Sequence, residues 1–555
     1  MVWNKKLNQN FAYLNMNIFI LNKMIKTYLL TIAAIMLVGC VYSQTNIHSK
    51  KNTKVTKPIN VTELTISQVH SSYKNGTFTS QQLVTAYLDR IHQFDKQINA
   101  ISNINPNALA IAKALDEEYK TNKVLRPLHG IPIIVKDNIN TKGLATTAGA
   151  LALKDFVPDA DAFVIEKLVK AGAIIIAKSN MAEWAFTPWH SFSSTNGATL
   201  NPYNIEHVPA GSSGGTGASI AANFGTVGLG TDTGNSIRGP SSHNSLVGFR
   251  TTIGLISRAD IVPLNFRNDV VGPMCRSVED ATKVLEIMVG YDQNDPITKY
   301  AEGKIPQNYT QFLQKNGLKG ARIGVLRELC ENPPSTLGLA TGSTGMADSE
   351  VKALFEKSIL DMKAMGAIII DTLIIPDFSN LRKDLICYDF RGDLETYLTK
   401  YVKNVSIKTL EDIVRIGSKS KSAEARVKAN LTIQNPNCPD VYTSPRRIAF
   451  RKAIEDKMDE LKLDAIIYPT WNNKPAKINT YNEELKRVEY FGDNSQIIAP
   501  HTGQPAFTVP MGFTTGNLPA GLQFLGRMYA EPTLIKLVYA YEQGTKHRVP
   551  PIIKN

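Results

Sequence analysis

The sequence predicts an α/β protein: one large domain with a central mixed β-sheet covered by helices on both faces. Three observations carry that prediction. Short apolar runs at 131–135, 173–177, 322–326, 367–371 and 465–468 have the length of strands, and several are β-branched and flanked by Gly or Pro. They are continuously apolar rather than alternating, so both of their faces must be covered. Stretches with apolar residues at helical spacing separate them, the pattern of strands joined through helices.

The N-terminal segment reads as something other than fold. From Met24, a more economical start than Met1, a lysine at 26 is followed by an apolar run over 29–38 and then Gly39-Cys40. A charge followed by a short apolar stretch is the layout of a secretory signal. The run falls short of the roughly 20 apolar residues that span a bilayer. We expect residues 1–43 to be an export segment. Leu37-Val38-Gly39-Cys40 resembles a bacterial lipobox, which would attach the chain to a membrane through a lipidated Cys40; cleavage after Ser43 is the competing reading, and both stay open. The bland alternative is a buried helix of a cytoplasmic protein. Residues 44–60 are rich in Lys, Asn and Thr and read as a flexible tether. The domain proper is expected over 61–550, and localisation in the cell envelope or outside the cell follows from the leader.

Charge supports that division. Of the net +13, eight lysines fall in the first 60 residues with no acid among them, which leaves +5 over the rest. That is too mild for a nucleic-acid footprint, so no nucleic-acid partner is expected. The five cysteines show no CxxC and no metal-ligand spacing. One disulfide is compatible with them, and the spacing does not say which.

Within the domain, residues 62–119 carry helical spacing, with Val69, Tyr73, Leu83, Tyr87 and Ile91 three to four apart where the pattern is clearest. Thr79 followed by Gln82 is a capping box. Residues 332–346, rich in Pro, Gly, Ser and Thr, read as a surface loop.

Chemistry concentrates in residues 209–240, PAGSSGGTGASIAANFGTVGLGTDTGNSIRGP. Two Ser/Gly-rich turns flank a small-residue helix and a short strand. A flexible linker is the plain alternative, but 218–224 and 227–229 look buried, unlike a linker. Gly211-Ser212-Ser213-Gly214-Gly215 also satisfies the G-x-S-x-G nucleophile elbow, which must follow a strand. The preceding residues 201–209 do not read as one.

The stretch resembles the signature of the amidase signature family. Flanking segments agree: Pro127-Leu128-His129-Gly130-Ile131-Pro132 leading to Lys136-Asp137-Asn138; Lys178-Ser179-Asn180-Met181-Ala182-Glu183; Gly272-Pro273-Met274; Gly503-Gln504-Pro505-Ala506; and Leu518-Pro519-Ala520-Gly521. The resemblance extends from about Thr62 to Arg548. It implies Ser236 as nucleophile, Ser212 in a cis peptide as bridging serine, and Lys136 as base. It also implies an oxyanion hole from the backbone N–H groups of Thr233, Gly234, Asn235 and Ser236. Ser213, Asp232 and Arg238 would support the loop, the last two against the plain alternative of a surface ion pair. Lysine serves as a base only when neutral, and burial at the end of the 131–135 run can lower its pKa from about 10.4 by up to about 3–5 units. His129 and His243 read as structural.

Asn235 departs from the commoner Gly at that position; Asn is among the most tolerant non-glycine residues if φ > 0 is required, so an altered leaving-group or acyl-pocket shape is expected, not loss of activity. Ala210 replaces a glycine and is expected to matter less.

The implied activity is hydrolysis of linear amide C–N bonds in a small-molecule or peptide amide, with no metal or cofactor. Trp184, Phe186, Trp189, Phe192 and the Cys387-Tyr388 segment are candidate pocket residues. Two other readings are an amidotransferase subunit of tRNA-dependent amide synthesis and an envelope binding protein on a catalytically retired scaffold. The sequence leaves the substrate and the oligomeric state open.

Overall fold

The computed structural model describes residues 21, 23–27, 59–331, 346–385, 387–478 and 492–554. Two compact units divide the chain at Pro58 and Ile59. The first contributes a short helical stretch at 23–27, where the Thr27 hydroxyl donates to the Lys23 carbonyl at 2.8 Å. Among the described residues no helix is long and apolar enough to cross a membrane. The lipobox, the tether up to residue 58 and the 332–345 part of the expected loop lie outside the described residues.

The second unit opens with α1 (Ile66–Lys74) and α2 (Ser80–Ile98). Thr79 and Gln82 form the expected capping box on α2, and Thr65 with Gln68 forms another on α1. Each box satisfies two otherwise unpaired backbone groups and so fixes where the helix begins. The helical reading of 62–119 then needs one correction: strand β1 (Ile101–Ile104) interrupts it before α3 (Ala108–Asn122). Only the first residue of β1 is fully buried, and it pairs on one side alone, so it lacks the apolar run that marks the inner strands.

Apart from a two-stranded antiparallel pair, Phe192–Ser193 with Gly197–Ala198, the remaining strands belong to one sheet: β2 (Pro132–Lys136), β3 (Ile174–Ser179), β4 (Val227–Asp232), β5 (Val247–Arg250) and β6 (Val270–Cys275). They are followed by β7 (Arg322–Val325), β8 (Ile368–Ile370), β9 (Ala465–Pro469), β10 (Ala506–Thr514) and β11 (Leu518–Leu525). Together with β1 they make one 11-stranded sheet in the order β1-β3-β2-β4-β6-β5-β10-β11-β9-β7-β8. Pairing is mixed: β3-β2-β4 and β9-β7-β8 are parallel, and the other neighbours antiparallel. Every residue of β2, β3, β4, β5, β6, β9 and β11 is buried. Successive strand residues point to opposite faces, so both faces are covered. The run at 367–371 is the exception among the predicted buried strands: β8 is an edge, and Ile368 is 46% exposed.

A second apolar cluster lies beside the sheet. Trp184 and Phe186 pack there with Phe390, Leu394, Leu398, Leu410 and Ile413, which come from helices between 390 and 431. Cys387 and Cys438 are joined by a disulfide that closes this segment, while Cys275 and Cys330 are buried free thiols.

Candidate active site

Strand β2 ends inside the protein. Its last residue, Lys136, is fully buried, and its Nζ donates to Ser212 Oγ at 2.7 Å, Thr231 Oγ1 at 2.8 Å and Thr231 O at 3.3 Å. Burial pulls this amine down to about 7, with the Asp232 and Asp269 carboxylates pulling weakly the other way. The cause is the desolvation cost of an enclosed ammonium. Lys178, another buried amine, braces the turn after Lys136 by donating to Ile139 O at 2.6 Å and Thr146 Oγ1 at 2.8 Å.

The 211–217 turn brings Ser212 to Lys136. The Gly211–Ser212 peptide is cis. A Cβ on Gly211 would lie 2.2 Å from His190 O and 2.6 Å from Thr187 O, so only glycine fits. The Gly211 N–H donates to Pro188 O at 2.7 Å, and the Ser212 carbonyl accepts from Ala182 N–H at 3.0 Å. Ser213 precedes helix α4 (Gly214–Ala221), and its hydroxyl donates to Thr231 O at 3.2 Å. Residues 201–209 contain only isolated bridges, so no strand leads into the serines as the elbow reading would need. Ala210 takes φ +62°, a region glycine enters more readily.

Strand β4 delivers the second serine. Its last residue, Asp232, is fully buried between two arginines: Arg238 Nε at 3.0 Å and Arg250 Nη1 at 2.8 Å. Burial disfavours the carboxylate, but the two guanidinium groups outweigh it and hold the acid down at about 2. This is an interior ion network, not a surface pair. Arg238 also donates to Gly234 O at 2.6 Å, Ser495 O at 2.8 Å and Gln523 Oε1 at 3.1 Å, while Asp232 accepts from the Ile237 N–H at 3.2 Å. The loop 233–236 is therefore fixed from both ends. Among the described residues, the N–H groups of Thr233, Gly234, Asn235 and Ser236 have no protein acceptor. The Thr233 hydroxyl donates to Asp269 Oδ1.

The structure brings Lys136 and Ser212 into direct contact. Ser236, 5% exposed, instead donates to Asn235 Oδ1 at 3.3 Å and makes no bond to Ser212 in this conformation. Asn235 does not occupy the φ > 0 region, so its position makes no demand for glycine. Its Nδ2 donates to Pro188 O at 3.4 Å.

His129 and His243 pack away from this chemistry, the first against Leu115 O at 3.0 Å and the second against the Trp471 ring at 4.9 Å. Of the expected pocket residues, Phe186, Trp189 and Phe192 line a cavity of about 190 Å³ with Glu183 and Arg426. Trp184 belongs to the apolar cluster, and Tyr388 lies beside Phe390. Thr231, Arg250 and Asp269 were not singled out by the sequence. The available signal was a polar or charged residue at or just beyond a strand end.

Known proteins show the same arrangement of chain. The Amidase family profile matches residues 82–535. A probable amidase from Arabidopsis thaliana is 32% identical over 531 residues, covering 91% of this chain and 94% of its own. A glutamyl-tRNA(Gln) amidotransferase subunit from Microcystis aeruginosa is 32% identical over 516 residues, covering 88% and 99%. The structure of native peptide amidase from Stenotrophomonas maltophilia superposes with a TM-score of 0.75 at 32% identity, covering 89% of this chain and 99% of that one. A Ser/Gly-rich signature folded around a buried lysine thus sits within a match that runs through most of the domain, and the chain belongs to the amidase family, the amidase-signature enzymes.

Proposed function

We propose that this chain hydrolyses linear carboxylic amides to the acid plus ammonia or an amine, through an acyl-enzyme on Ser236. One observation carries the reading: a fully buried lysine, held near neutrality, lies 2.7 Å from a serine hydroxyl. A serine hydroxyl is a weak nucleophile without a base in hydrogen-bond reach. Neutral Lys136 takes the Ser212 proton as Ser212 takes that of Ser236. Ser236 Oγ, released from Asn235, bonds to the amide carbon. The displaced electron pair rests on the carbonyl oxygen, which the N–H groups of 233–236 receive. The oxygen's electron pair then re-forms the carbonyl as the C–N bond breaks, the leaving nitrogen takes the proton back through Ser212, and water cleaves the resulting ester by the same route. Asp232, Arg238 and Ser213 hold the loop and touch no substrate.

Export is part of the proposal. A lysine and apolar run at 26–38 favour it, and so does the Cys387–Cys438 disulfide, since disulfides persist in oxidising compartments. Membrane attachment through Cys40 remains the lipoprotein form of that reading.

Fluorophosphonate labelling of the full chain with peptide mapping tests the reaction. Label on Ser236 that is lost in Ser236→Ala, with ammonia release falling by about 10⁴-fold or more, supports it. Label on Ser213 would instead revive an elbow, and no label on folded protein would retire the hydrolase. The amidotransferase reading draws on the 32% identity with the Microcystis subunit over 516 residues. Ammonia released only from glutamine, and only with partner subunits, tRNA and ATP, would replace simple hydrolysis with it.

A further inference from the structure

Gln496 ends a short 3-10 turn, Asn494–Gln496, that lies beside the oxyanion loop. Two contacts fix it there. Arg238 donates to both Gly234 O at 2.6 Å and Ser495 O at 2.8 Å, which ties the turn to the loop. The Gln496 Nε2 donates to Asp493 Oδ2 at 2.7 Å, and Asp493 is fully buried. The amide nitrogen faces Asp493, and Oε1 is turned toward Gly234. A Cβ added to Gly234 would lie 3.3 Å from that oxygen. Gln496 is only partly buried, and its Oε1 has no donor among the described residues. The turn thus presents an oriented acceptor beside the loop that binds the carbonyl oxygen.

We propose that Gln496 is a specificity-determining residue that accepts an N–H from the acyl part of the substrate, next to the scissile carbonyl. This rests on the amidase reading above. The leaving nitrogen takes its proton from Ser212, which is buried with Lys136 and Thr231. Gln496 lies instead against Gly234 of the oxyanion loop, beside the place of the carbonyl oxygen, and the proposal gives it the acyl side. The favoured class is a carboxamide with an N–H donor on its acyl group.

Gln496→Met keeps side-chain length and removes the acceptor. The test compares kcat/KM for N-acetylglycinamide and for 4-oxopentanamide, which has CH2 in place of the acyl-side N–H. Fluorophosphonate labelling of Ser236 serves as the check on folding and machinery. The wild type should favour the donor substrate by about tenfold, the equivalent of ~1.4 kcal/mol. In Gln496→Met that ratio should collapse to about twofold or less, chiefly through KM, with Ser236 still labelled. A wild type that treats the two amides alike overturns the assignment, as does a variant that labels normally and keeps the ratio. If the variant fails to label, the wild-type ratio alone decides. A wild type that neither labels nor releases ammonia fails at the amidase reading itself, a result distinct from loss of selectivity.

Discussion

At the scale of single residues, the proposed reaction turns on the charge of one amine. Only neutral Lys136 accepts a proton, and burial places its transition at about 7. Below that pH the ammonium form dominates and the relay has no acceptor. The expected kcat/KM profile therefore rises about tenfold per pH unit up to about 7 and then levels off. A profile flat from pH 5 to 8 would show that another group is the base. Lys136→Met should remove the rising limb along with the activity. The candidate serines and this lysine stood out in the sequence because their neighbours are unusual: Gly/Ser turns between buried segments, and a lysine at the end of an apolar run. Thr231, Arg250 and Gln496 did not. The role of each depends on which distant group the fold sets against it, and that is not written in its neighbours. Arg250 meets Asp232 across 18 residues, and Gln496 meets the Gly234 loop across more than 250.

At the scale of elements, the site depends on how closely α4 packs against the end of β3. A Cβ on Gly215 would sit 2.1 Å from Asn180 O and 2.7 Å from Ala100 O, both backbone atoms that cannot swing aside. Gly215→Ala must displace the start of α4, and with it Ser212 and Ser213. A loss of about 1–3 kcal/mol is expected. The denaturation midpoint should fall and labelling of Ser236 should weaken together; a variant with both unchanged would refute this packing argument. The inner strands β2, β3, β7 and β9 were readable from their apolar runs because burial on both faces leaves no alternation to misread, whereas β5, β6, β10 and β11, each interrupted by Gly or Pro, were not. Nor were the edges. β1 carries Ser102 and Asn103 and was absorbed into a helical stretch, while the apolar run that gives β8 does not reveal that Ile368 faces solvent.

At the scale of the whole molecule, the disulfide between Cys387 and Cys438 ties together residues 51 apart and brackets the helices that enclose Trp184 and Phe186. Closing a loop of that length stabilises the folded state by about 2–4 kcal/mol. The double variant Cys387→Ser/Cys438→Ser should denature at lower denaturant and be cut first within 390–431 by added protease. Cleavage elsewhere first would show that this segment is held by its apolar cluster alone. The pairing itself was beyond sequence reasoning, because five cysteines with no spacing signature allow many partners.

Arg238 reaches across 257 residues to Ser495 and across 285 to Gln523. Synthesis runs from the N-terminus, so a growing chain acquires Lys136, Ser212 and Ser236 long before it acquires the partners that steady their loop. On the proposed reaction, the centre is therefore finished only when the chain is: a half-made polypeptide on the ribosome already holds Lys136, Ser212 and Ser236 but lacks Ser495 and Gln523, which anchor Arg238 beside the 233–236 loop.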